Sequence, residues 1–184
     1  MKNIALFLRY AEGCRCYLED KGLISREESE LVKSGRADMR TLGRIFYVAL
    51  PGLEKLGREM GKDRLDTGVM RHYYAFEHNK KKFDEGNLIC MAFPARILEI
   101  KDKECMIELE PVSGKFRVSS GLRLKPGDWA IFHRINLVEK IPEDFALKAA
   151  EFLQGLGLGK AYKFPKVAVR YLERLQKLGG SVYA

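Results

Sequence analysis

The sequence predicts an α+β protein in which an N-terminal all-helical segment is followed by a small, closed or half-closed antiparallel β-barrel and then by further helices. Three observations carry this expectation. Apolar residues recur with helical spacing up to Gly86. From Leu88 the chain becomes rich in Ile, Val and Phe, with period-two alternation and frequent turn dipeptides. Helical patterning returns after Pro142. The expected organisation is a helical domain over 1–86, a barrel with a trailing helix over 87–155, and a linker with a C-terminal amphipathic helix over 156–184.

In the first segment, Ile4, Phe7, Leu8, Ala11, Cys14 and Leu18 lie on one face of a helix over residues 3–20, closed by Lys21-Gly22. Ser25-Arg26-Glu27-Glu28 reads as a capping box, in which the Ser25 hydroxyl accepts from an orphan N–H and Glu28 reaches back. A short helix should follow and end near Ser34, with Gly35 as its left-handed cap. Asp38 is placed to cap a third helix reaching Leu50, where Pro51-Gly52 should break it. A brief helix is expected over residues 53–60, stopped by Gly61. Asp66 or Thr67 then caps a helix to about Phe83, ended by Gly86.

The barrel should begin with a strand over residues 90–100, followed by a turn at Lys101-Asp102-Lys103. Residues 104–110 alternate, with Cys105, Ile107 and Leu109 on one face and Met106, Glu108 and Glu110 on the other. Ser113-Gly114 is a hairpin signal before a strand over 115–119. Pro126-Gly127 suits the centre of a type II turn, whose second position needs a positive φ. Strands over 129–134 and 135–140 complete the set, a spacing that favours a small barrel. Pro142-Glu143-Asp144 opens a helix with acids in its first turn, where they complement the dipole. The glycine-rich stretch 155–159 lacks a phosphate loop's Gly-Lys-Ser/Thr ending and follows a helix, so it reads as a connector. A last amphipathic helix is expected over 165–178.

Bulk composition bounds the function. Across 184 residues, 46% hydrophobic and 32% charged content is that of a soluble globular chain. No stretch approaches the roughly 18–20 apolar residues that span a bilayer, and the run from Ile4 to Leu8 is too short for a signal peptide. Four cysteines with no zinc-knuckle or C-x-x-C spacing argue against a disulfide scaffold. The expectation is a cytoplasmic protein with no membrane partner. The net charge of +8 is compatible with nucleic acid or an acidic protein partner. Its one obvious cluster, Lys80-Lys81-Lys82, is followed at once by Asp84 and Glu85, which favours a solvated helix end over a phosphate-binding patch.

The residues that carry chemistry are few. Cys14 and Cys16, two apart on a helix, point roughly 200° from each other, so packing is the reading favoured for both. Cys105 shares a face with Ile107 and Leu109 and reads as core. His72 and His78, six apart, do not share a helical face and read as structural or solvent groups. Tyr73-Tyr74 with Phe76 could stack on bases, but a face packed inside the protein is favoured. Cys90 stands at the junction of the two expected domains, either as a packed thiol or as a ligand, and His133 follows Trp129 and Ile131 in alternation, either as a hydrogen-bonded barrel histidine or as a second ligand. The same pair could form a nucleophile and base, but no motif supplies a third member.

From Ile89-Cys90-Met91-Ala92-Phe93-Pro94-Ala95, through Leu124-Lys125-Pro126-Gly127-Asp128-Trp129-Ala130-Ile131-Phe132-His133, to Glu139-Lys140-Ile141-Pro142-Glu143-Asp144, the order and spacing of the pieces resemble the HypC/HupF family of hydrogenase-maturation chaperones. The resemblance covers residues 88–155, about a third of the chain. It implies a small OB-like barrel with a trailing helix and an accessory protein, not an enzyme. The implied partners are a HypD-like scaffold or a hydrogenase precursor, with transient iron as cargo held by Cys90 with His133 nearby. A thiolate suits iron that also carries carbonyl and cyanide, provided that it can deprotonate. This chain departs from the family in two places. The family's cysteine follows the initiator methionine, whereas 89 residues precede Cys90, and the glycine after the proline is Ala95. The competing expectation is a nucleic-acid-binding OB-like module, resting on charge, barrel and aromatics.

Overall fold

The computed structural model describes residues 3–102, 104–112, 114–134 and 136–160. The expected helix over 165–178 lies outside them. The α+β class is as expected: N-terminal helices, a five-stranded antiparallel sheet and a closing helix.

Side-chain caps set the starts of three helices, α2, α3 and α5. Helix α1 spans Ile4–Asp20 and α2 spans Arg26–Lys33. The capping box at α2 is complete: the Glu28 N–H donates to Ser25 Oγ at 3.1 Å, and the Ser25 N–H donates to the Glu28 carboxylate at 2.8 Å. Asp38 caps α3 (Met39–Ile45) through the Thr41 N–H at 2.7 Å. Asp66 caps α5 (Thr67–His72) through the Gly68 and Val69 N–H groups.

The third helix differs from expectation. The chain breaks at Phe46, and α4 runs through Ala49–Glu59 with Pro51-Gly52 inside its first turn. Proline is tolerated there because first-turn N–H groups have no helical partner to lose. Gly52 stays because a Cβ at that position would sit 2.4 Å from the Tyr73 ring. After α5 the helix widens into a π turn, Tyr73–Glu77, and continues as α6, His78–Asp84. Lys80 pairs with Asp84 and Lys82 with Glu85, so most of the lysine cluster is a helix end paired with its own acids.

A single 3-10 turn, Leu88–Cys90, leads into β1 (Ala92–Lys101), so Cys90 precedes the strand instead of starting it. The other strands are β2 (Glu104–Leu109), β3 (Lys115–Ser119), β4 (Trp129–His133) and β5 (Asn136–Ile141). Their order is β3-β2-β1-β4-β5, antiparallel throughout. The turn before β4 forms as expected, with Gly127 at φ 89° and the Asp128 N–H donating to the Lys125 carbonyl at 3.0 Å. Helix α7, Glu143–Gly155, completes the described fold.

The expected barrel is corrected here: the sheet does not close, and β3 and β5 remain its two edges. The reason lies in what covers its faces. Ala92, Trp129, Ile131, Val138 and Ile141 pack with the N-terminal helices in one core. Phe93, Ala95, Ile107, Ala130 and Phe132 pack on the opposite side with Leu153 of α7. A sheet with helices on both faces has no free inner face to wrap around itself. Strand β4 is accordingly buried along its whole length. A buried ionic link joins the layers: Glu139 on β5 accepts from the Tyr10 hydroxyl at 2.7 Å and from Arg71 at 2.6 and 3.2 Å.

Candidate functional site

The residues singled out by the family resemblance meet where α1, the π turn, α6 and the β4–β5 turn converge. His133 ends β4, and pairing of β4 with β1 sets it opposite Ala92, two residues after Cys90. Its Nε2 lies 2.9 Å from the Cys90 carbonyl oxygen and its Nδ1 lies 2.8 Å from the Tyr10 carbonyl oxygen. Two residues 43 positions apart in sequence are therefore neighbours. The contact runs from ring to backbone, not from ring to thiol.

The Cys90 thiol is buried and faces the guanidinium of Arg134, which donates to its sulfur. Arg134 stands in the turn after β4 with φ 56°, and its guanidinium lies 4.8 Å from the centre of the Tyr17 ring. Helix α1 can approach this side chain because residue 13 is glycine; a Cβ there would lie 2.5 Å from Cβ of Arg134. Burial pushes the Cys90 thiol up to about 11, with the positive charge of Arg134 opposing the shift. A thiol so held is protonated at neutral pH and is a poor nucleophile or ligand until it moves.

His133 is wholly buried. Burial first, and then the charge of Arg134, pushes its pKa down to about 4, while the two carbonyls pull the other way. A neutral imidazole has one N–H and can donate to only one of two carbonyls. Both ring nitrogens thus face backbone acceptors, and neither faces the Cys90 sulfur as a base or an incoming metal as a ligand. Among the described residues no group of three or more His, Cys, Asp or Glu side chains is placed to hold a metal ion. The arrangement does not fit iron as it stands: Arg134 would have to leave the thiol, and His133 would have to give up a carbonyl.

His78, read from the sequence as a structural or solvent group, is buried beside this site. It packs edge-on against His133 with ring centroids 5.3 Å apart, and Tyr74 lies 5.2 Å from His78 and 5.3 Å from His133. Tyr74 in turn stacks on Tyr10 at 4.2 Å. Burial first, and then the charges of His133, Lys82 and Arg134, hold the His78 pKa well below its ordinary value. Its Nδ1 is buried with no hydrogen-bond partner among the described residues.

Tyr74 and His78, with Lys82, Cys90 and Arg134, line a cavity of about 230 Å³. Leu18, Ile45, Phe46 and Ala49 are the apolar part of its lining. Cys14 also lines it, while Cys16 points away into a buried network with Glu12 and Arg15. The two cysteines diverge as their spacing predicts. Cys105 is core, and Tyr73 and Tyr74 are buried in the interior, so these two tyrosines are not a surface platform for bases.

One reactivity follows from this geometry. With iodoacetamide at pH 8, Cys14, which is partly exposed, should be modified well before Cys90. Peptide mass mapping at successive times gives the order, and labelling of Cys90 as fast as Cys14 would show that Arg134 and burial do not shield it.

No protein-family model, curated protein or solved structure matches the chain.

Proposed function

We propose that this chain is an accessory, chaperone-like binding protein of the hydrogenase-maturation type, acting in the cytoplasm on a protein partner and carrying out no catalysis of its own. The observation that supports this reading is the adjacency of Cys90 and His133, the two residues that the resemblance to the HypC/HupF family singles out, at 2.9 Å between ring nitrogen and carbonyl. The motifs around them occupy neighbouring positions as well. Ala92-Phe93-Pro94 begins β1, Trp129 begins the β4 that pairs with it, and Glu139-Lys140-Ile141 ends the β5 that pairs with β4.

Binding, not iron delivery, is the favoured role, because the thiol is buried against Arg134 and both His133 nitrogens face carbonyls. The partner is a HypD-like scaffold or a hydrogenase precursor, and the mouth of the cavity beside Cys90 is where it docks. Leu23 at 65% exposure and Tyr47 at 71% are exposed large apolar side chains on that rim. Such groups, set around a concave site, are the ordinary anchors of a protein interface.

The test is affinity copurification of the tagged chain with each partner, with iron measured in the product. Wild type should retain partner, and Tyr47→Ala should lose it at least about tenfold, the effect of one anchor worth 1.4 kcal/mol. Cys90→Ser should retain partner and leave the iron content unchanged. Capture of neither partner removes the reading. Iron that depends on Cys90 would restore the cargo role. Binding to single-stranded oligonucleotides that falls steeply with salt would favour the nucleic-acid alternative.

A further inference from the structure

We propose that the cavity behind Cys90 is a binding site for a small organic monocarboxylate with a single ring or branched apolar body. The inference is independent of the protein partner proposed above, since it concerns the interior of the cavity and not its rim.

Three features of the cavity converge on this chemistry. The first is the distribution of charge. Lys82 and Arg134 line the cavity, and among the described residues no aspartate or glutamate does. Lys82 also pairs with Glu85 at 2.6 Å, yet its side chain is only 16% exposed, so its charge sits largely within the protein. A concave site with two cations and no anion among its described lining residues favours a negative guest, and an ammonium or guanidinium bonds an anion about twice as strongly as a neutral group.

The second feature is the unmet hydrogen-bonding capacity of His78. The side chain is 5% exposed, it lines the cavity, and its Nδ1 is buried with no hydrogen-bond partner within bonding distance among the described residues, the Asn79 amide next to it being bonded to the backbone of Ala75 and Ala92. A buried polar atom without a partner costs free energy, and in the tautomer with its proton on Nδ1 this ring would donate to a ligand oxygen in the cavity and recover that cost. This points to a guest carrying an oxygen for His78, Lys82 and Arg134.

The third feature is shape and polarity. Leu18, Ile45, Phe46 and Ala49 give the lining its apolar part, and the rings of Tyr17 and Tyr74 line it as well. A cavity of about 150 Å³ accepts a benzene ring, so about 230 Å³ holds one ring with a single carboxylate. An inorganic anion would leave the apolar part unfilled. The carboxylate would rest among Lys82, Arg134 and His78, with the apolar body against the apolar part.

The test is isothermal titration calorimetry of the full chain with benzoate, with benzamide as its neutral isostere and with inorganic phosphate. Benzoate is expected to bind once per chain, at least about tenfold tighter than benzamide, one charge-assisted bond being worth that factor. Phosphate should bind more weakly than benzoate. Lys82→Gln should weaken benzoate by about tenfold and leave benzamide unchanged, and Ala49→Leu should weaken both by filling the apolar side. Lys80→Gln, on the same helix but exposed and paired with Asp84, should bind benzoate as wild type does. Circular dichroism checks that each variant is folded, and His78→Gln serves if Lys82→Gln is not. Equal affinity for benzoate and benzamide, wild-type benzoate affinity in a folded Lys82→Gln or His78→Gln, or no saturable benzoate heat would each overturn the proposal.

Discussion

Asn79→Leu is expected to destabilise the protein by about 3–5 kcal/mol, the sum of two or three buried polar groups each left unpaired at roughly 1–3 kcal/mol. Asn79 is wholly buried on α6. Its Oδ1 accepts from the Ala92 N–H at 2.7 Å, and its Nδ2 donates to the Ala92 carbonyl at 2.6 Å and to the Ala75 carbonyl at 3.0 Å. One amide therefore completes both backbone groups at the start of β1 and one carbonyl of the π turn. Leucine has the same number and branching of side-chain heavy atoms and is somewhat larger, so the substitution removes hydrogen bonds without opening a hole. Urea unfolding monitored by circular dichroism should show a lower midpoint at unchanged slope, since the slope follows the surface exposed on unfolding. A loss under about 1 kcal/mol, no more than an ordinary hydrogen bond, would mean that water reaches these groups. The change should also be felt at Cys90, two residues before Ala92, as faster alkylation of its thiol.

How much of this was legible in the sequence depends on the range of the forces involved. The starts of α2, α3 and α5 were legible because Ser25, Asp38 and Asp66 bond to N–H groups two or three residues ahead. The alternation of Cys105, Ile107 and Leu109 was legible because a strand repeats every two residues, and all three are buried. Pro51 misled because proline is a breaker only in a helix interior, and the break at Phe46 carries no strong local signal. The open sheet was not legible, since closure depends on whether β3 meets β5, and no period in either strand encodes that.

The candidate site was half visible. Cys90 and His133 stood out through the family resemblance, and the pairing of β1 with β4 does bring them together. Their hydrogen-bond partners did not stand out, because the carbonyl of Tyr10 is a backbone group more than 120 residues away. His78 was missed for a different reason. A six-residue separation from His72 was judged on a regular α-helix, whereas the π turn Tyr73–Glu77 changes the phase of everything after it. The available signal was the aromatic pair Tyr73-Tyr74 just before it, a buried face that His78 then shares. The contact of Arg134 with the thiol requires Gly13 on α1, which no local pattern links to it.

Acidification from pH 7 to pH 5 is expected to cost the fold about 2 kcal/mol for each of His78 and His133, at 1.36 kcal/mol per pH unit per group below an ordinary pKa near 6.5. Burial depresses both, His133 to about 4 and His78 well below 6.5. In the unfolded chain both imidazoles take up a proton as pH falls through 6.5; in the folded chain they resist. The unfolded state therefore binds more protons in the window between about 6.5 and 4, and stability falls with pH throughout it. Above pH 7 neither state protonates these rings and the contribution is flat. The measurement is the urea midpoint between pH 5 and pH 8 for wild type, His78→Gln and His133→Gln, and each variant should lose part of the slope that carboxylates do not explain. The sign also decides between two forces on His133. Its ring lies between the carbonyls of Tyr10 and Cys90, and only the imidazolium donates to both. Were those two bonds to outweigh burial and the charge of Arg134, the folded state would be the one to take up the proton. Wild type would then gain stability as pH falls, and His133→Gln would remove that gain. A loss on acidification that His133→Gln reduces places burial first, and with it a His133 that stays neutral beside Cys90 at physiological pH.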